Sequence, residues 1–195
     1  MNANGEDNAN SIEIVSGAST EDPHELVVMD DIITGGSSMN LWTGSGERTV
    51  DLYFWGDSSS TVTVPSSGTD NLGLSHLYID KDVRSDTVNM LSDFTLTNNT
   101  GRSLHLNEGT FHIDNSNIDV SLTSGDGDFM IPSTTELTMD AGRLEATGAS
   151  AGIILDGKLE LNGTSELILD DGTNDNDDNY LEYSASGNAV LEIHD

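Results

Sequence analysis

The feature that most constrains this chain is a recurrence. Short runs of alternating apolar and polar residues return every 22–26 residues. Phe111 and Leu137 are 26 apart, and Leu137 and Leu159 are 22 apart. Leu144, Leu167 and Val190 are separated by 23 in both steps, and Val28 and Leu52 by 24. The runs include Val50–Trp55, Thr61–Val64, Leu77–Asp80, Phe94–Thr97, Leu104–Leu106, Phe111–Asp114, Val120–Leu122, Leu137–Met139, Leu144–Ala146, Leu159–Leu161, Leu167–Leu169 and Val190–Ile193. Each is too short to be a helix and presents one apolar and one polar row. Glu108-Gly109, Asp156-Gly157, Asn162-Gly163 and Asp171-Gly172 lie between them and suit tight corners. Three short strands within one such interval make one coil of a solenoid. The expected fold is all-β, a right-handed parallel β-helix of about eight rungs, stacked about 4.8 Å apart into a rod roughly 40 Å long. An antiparallel β-sandwich is the alternative, but its longer strands carry no such beat.

Composition narrows the function. The 195 residues hold 35 acidic side chains against six basic ones, Arg48, Lys81, Arg84, Arg102, Arg143 and Lys158, for a formal charge of −29. A field of that sign repels phosphate backbones and anionic lipid, so nucleic acid and membrane surfaces are not expected partners. Cysteine is absent, which excludes disulfides and thiolate metal sites. No apolar run approaches the roughly 18 residues a membrane helix needs. Residues 1–10, all polar or small apart from Met1, are expected to be disordered, and 11–195 to form a single β-helix domain. That polar start lacks the parts of a signal peptide. The chain is therefore expected to be a fragment of a longer exported protein.

Leu77-Tyr78-Ile79-Asp80-Lys81, the segment from Asp86 to Thr97, and Ser103-Leu104-His105-Leu106-Asn107-Glu108-Gly109-Thr110-Phe111-His112-Ile113 resemble the repeats of large bacterial surface β-helix proteins. Autotransporter passenger domains and multidomain secreted adhesins are similar in style. The resemblance covers residues 26–195. It implies an extracellular or cell-surface bacterial protein and carries over no catalytic residue. The scarcity of lysine and the acidic insertion near residue 175 depart from the pattern.

Two residue sets carry candidate chemistry. Counted from Asp171, the insertion places Asp171, Thr173, Asp175, Asp177, Asn179 and Glu182 at the spacing of an EF-hand calcium loop, with Asp177 contributing its backbone carbonyl. Strands flank it instead of helices, so the expectation is Ca2+ on a rung-connecting loop, against a plain solvated loop. If Leu41, Leu52 and Phe54 point inward, Trp42, Tyr53 and Trp55 point outward, where aromatic planes suit stacking on sugar rings. Their alternative role is to cover an end of the solenoid. His105 and His112 are read as exposed polar positions on either side of a corner at Asn107–Thr110.

Catalysis has little support. The basic residues are scattered, and 35 acids make chance carboxylate pairs unavoidable. No nucleophile-elbow, metalloprotease or phosphate-loop pattern occurs. The expected function is a non-enzymatic structural or adhesive solenoid module that stacks end to end or continues into adjoining domains. A carbohydrate-binding module and a polysaccharide lyase or hydrolase are the alternatives.

Overall fold

The computed structural model describes residues 2–3, 24–34, 50–63, 74, 76–92, 94–96, 103–123, 128–147, 152–170 and 180–195. Every element in them is a strand. In chain order these are β1 (Asn2–Ala3), β2 (His24–Val28), β3 (Ile32–Thr34), β4 (Val50–Gly56), β5 (Ser60–Thr63) and β6 (His76–Lys81). Next come β7 (Thr87–Met90), β8 (Thr95–Leu96), β9 (Leu104–Ile113), β10 (Asp119–Thr123), β11 (Phe129–Ile131) and β12 (Thr135–Met139). The series closes with β13 (Arg143–Thr147), β14 (Ile153–Leu155), β15 (Lys158–Leu161), β16 (Glu166–Asp170), β17 (Leu181–Tyr183) and β18 (Val190–Ile193).

All pairings between these strands are parallel. Parallel partners that follow one another through short corners require a coil, and the antiparallel sandwich is thereby excluded. A central face runs β1-β3-β5-β7-β9-β12-β15-β18, and a second face runs β8-β10-β13-β16. The remaining face is built from β2, β4, β6 and the first half of β9; in later turns β11, β14 and β17 precede the central strand instead. Four successive turns, those of β7, β9, β12 and β15, have strands on all three faces. This is a β-solenoid, with four complete turns described where about eight were expected.

Apolar ladders explain why the coil closes. Val88, Phe111, Leu137 and Leu159 stack in register, as do Val62, Met90, Ile113, Met139 and Leu161. On the second face Leu96, Val120, Leu144 and Leu167 stack. Nearly all of these side chains are fully buried. Each contributes roughly 1.5–3 kcal/mol by leaving water, and each rung alone has nothing to bury it against.

The structure corrects parts of the expected beat. Leu144 and Leu167 do pair, but Val190 lies on the central face opposite Lys158, pointing outward, and Leu191 takes the inward place opposite Leu159. Val28 pairs with Phe54, while Leu52 pairs with Leu26. Corner loops of unequal length shift the count from turn to turn. β1 pairs with Ile33 and Thr34 of β3.

The corner expected at Asn107–Thr110 is not a break. β9 turns it without interruption, leaving β6 at Glu108 after a register shift and joining β7 at Thr110. Gly109 makes this bend with φ of +105°, a conformation that side chains with a Cβ resist. A Cβ there would meet the Lys81 Cβ at 2.8 Å.

Candidate functional site

The chemistry collects on the outer surface of β2, β4 and β6. β4 alternates, so Leu52 and Phe54 face the core while Tyr53 and Trp55 face out. Parallel register then stacks like positions of successive turns. One row reads Val27, Tyr53, Tyr78, His105. A second reads Glu25, Asp51, His76, and a third pairs Trp55 with Asp80.

The first row is an aromatic stack. Tyr53 and Tyr78 lie with ring centroids 4.1 Å apart and planes within 6° of parallel. His105 continues the stack on Tyr78 at 4.3 Å and 8°. His76 leans across from the second row, 5.7 Å from His105. Its Nδ1 is 2.7 Å from the Asp51 Oδ1, and Asp51 is only 5% exposed. Burial raises the Tyr78 phenol, and the Asp51 charge adds to the effect. Burial also raises the Tyr53 phenol; a hydrogen bond from Tyr78 opposes this, and Asp51, Glu25 and Asp80 reinforce it.

Beside the stack is an open groove of about 260 Å³ lined by Glu25, Val27, Tyr53, Trp55 and Asp80. Trp55 is 55% exposed and Val27 47%. The groove therefore offers two aromatic surfaces, an aliphatic floor and two carboxylates. None of these lining residues is basic. The chain matches no family model, no curated protein and no solved structure.

Of the three aromatic residues singled out from the sequence, the structure brings Tyr53 and Trp55 into one groove, while Trp42 lies outside the described residues. In the acidic insertion, Asp171, Thr173, Asp175, Asp177 and Asn179 also lie outside them. Glu182 sits on β17, exposed. Glu25, Val27, His76, Tyr78, Asp80 and His105 were missed as site residues. Their trace in the sequence is the return of an aromatic ring at 53, 78 and 105, in step with the coil.

His105 and His112 do fall on different faces, but neither is fully exposed. His112 is bracketed by Asn89 Oδ1 and Asp140 Oδ2, each 3.0 Å from a ring nitrogen. Hydrogen bonds from Asn162 and His112 hold the Asp140 carboxyl below its usual range. Asn162 spends its amide on Asp140 and Glu160.

Two cations organise the acids nearby. Lys158 Nζ lies 2.9, 2.5 and 3.1 Å from Glu136, Glu160 and Glu192. Glu160, Glu192 and His194 converge closely enough to hold a metal ion, and Lys158 already ion-pairs with both of these carboxylates. Lys81 is buried at the corner below Gly109, where its ammonium donates to Ser60 Oγ and the Trp55 carbonyl at 2.9 and 3.3 Å. Burial lowers its pKa against the pull of Asp86, Asp30, Asp82 and Asp57.

Proposed function

We propose that this chain is a non-enzymatic, extracellular adhesive module of a bacterial surface protein, in which a stiff solenoid displays a glycan-contacting groove. The observation that carries the reading is the convergence of Tyr53 and Trp55 on one exposed groove with Glu25 and Asp80. Aromatic faces cover the apolar side of a sugar ring, and carboxylates accept its hydroxyl protons. Parallel crossovers are right-handed almost without exception, so the coil is assigned that hand. A glycan array probed with wild type and Trp55→Ala tests the role. Binding by wild type, weakened in the variant, is the expected result; silence from both proteins sinks it.

End-to-end assembly is part of the same proposal. Among the described residues no strand covers the outer edge of β18, where Ile193, in register with Leu161, is 70% exposed, and a strand edge of this kind is a template for pairing. Concentration-dependent growth in size-exclusion chromatography and rods in electron micrographs are expected; a monomer at every concentration argues against stacking.

One observation favours a polysaccharide-active reading, namely the buried Asp51 orienting His76 next to Tyr78. Incubation with neutral and acidic polysaccharides decides it. Unsaturated or reducing ends above the blank would replace the adhesive reading with an enzymatic one.

A further inference from the structure

We propose that the groove selects a saccharide carrying a primary amine, with one sugar ring taking the place of a missing aromatic side chain at the end of the Tyr53–Tyr78–His105 stack. This rests on the glycan reading above and names the class of sugar.

The argument starts from register. The outward row is aromatic at three consecutive levels and then, at β2, it is Val27. Tyr78 covers one face of the Tyr53 ring at 4.1 Å. The next level of the row, on the other side of Tyr53, holds only a small aliphatic side chain. The groove lies there, bounded by Val27 below and Trp55 at its side. A ring laid over Val27 stacks on Tyr53 at the spacing the ladder already imposes.

Charge decides what kind of ring. Glu25 and Asp80 stand at the groove, with Asp51 behind them. The charges of all three act on the Tyr53 hydroxyl. The Lys81 ammonium is turned into the core. Uronic acids and sulfated sugars are therefore repelled. An ammonium gains both the carboxylates and the ring faces of Trp55 and Tyr53. A quaternary ammonium has no proton to donate to Glu25 or Asp80, which points to a primary amine.

Isothermal titration at about 0.3 M salt, where non-specific attraction of a cation to an acidic protein is screened, tests the assignment. The probes are a trimer of β-linked glucosamine, the N-acetylated trimer and choline. Wild type is expected to bind the amine trimer at least about tenfold more tightly than the acetylated one, a difference of one charge-assisted contact. Val27→Tyr supplies the missing ring, keeps the net charge and is expected to abolish binding while the melting temperature holds or rises. Trp55→Ala, a surface change, is expected to weaken binding about tenfold. Equal binding of both trimers leaves the glycan reading standing and overturns the amine. Tighter binding of choline overturns the primary amine. Undiminished binding by Val27→Tyr overturns the groove as the site. Failure of wild type to bind any of the probes overturns this assignment, and the glycan array then decides separately whether the broader reading survives.

Discussion

At the scale of single residues, this solenoid depends on a few side chains and one backbone conformation that periodicity does not reveal. Gly109 is the clearest case. Its φ of +105° and its contact with the Lys81 stem leave no room for a Cβ. Gly109→Ala is expected to destabilise by about 2–4 kcal/mol in urea unfolding; a change within experimental error would mean that the corner relaxes freely. Asp140 makes a second prediction. Its carboxyl is held below the usual value of 3.8 by Asn162 and His112, so its stabilising contribution is present above that value and is lost as pH falls through the depressed one. Wild type is therefore expected to lose more stability than Asp140→Asn in denaturant series taken from neutrality to below pH 3.8. Parallel pH profiles would remove Asp140 from the account. Neither feature was legible beforehand: the Glu108-Gly109 pair was visible as a corner, but its partner Lys81 lies a full turn away.

The alternating runs at 50–55, 77–80, 104–106 and 137–139 were legible as strands because each contains enough residues to display a period of two. β11 and β14 were missed because Phe-Met-Ile and Ile-Ile-Leu are apolar throughout, and β17, Leu-Glu-Tyr, because it was counted into the acidic insertion that ends at Glu182. A fully apolar triplet shows no inward and outward row, so one face of the later turns stayed hidden. The groove was half legible for a related reason. Tyr53 and Trp55 declare themselves within one strand, whereas Val27, Tyr78 and His105 join them only through register. That register has a direct check. Leu161 faces inward, stacked between Met139 and Ile193. Leu161→Ala is expected to cost roughly 2–5 kcal/mol, with the lower end favoured by its position one turn from the open edge. A neutral result would count against the central ladder.

Over the whole molecule, stability is a sum of rung contributions and interfaces between neighbours. Interior turns have a partner on both sides, but β18 has one on a single side among the described residues. In dilute protein, before any stacking, hydrogen exchange monitored by mass spectrometry is expected to show fast exchange in β18 and β17 and the strongest protection in β9 and β12. Protection of β18 that rises with protein concentration is expected from end-to-end stacking, and fast exchange there at every concentration argues against it. The charge of −29 acts at this scale as well. Outward rows place acids on successive turns, and the coil tolerates this partly by threading Lys158 through three of them. Removal of that one ammonium is expected to make the melting temperature strongly dependent on ionic strength.

The Tyr53–Tyr78 stack has an optical consequence. Two phenol chromophores held 4.1 Å apart and nearly parallel have coupled transition dipoles, and the protein's twist gives that coupling a handedness. The near-ultraviolet circular dichroism of the tyrosines is thus a built-in gauge of the distance between two adjacent coils. It will fade on any event that slips one turn against the next, even if the far-ultraviolet strand signal is unchanged.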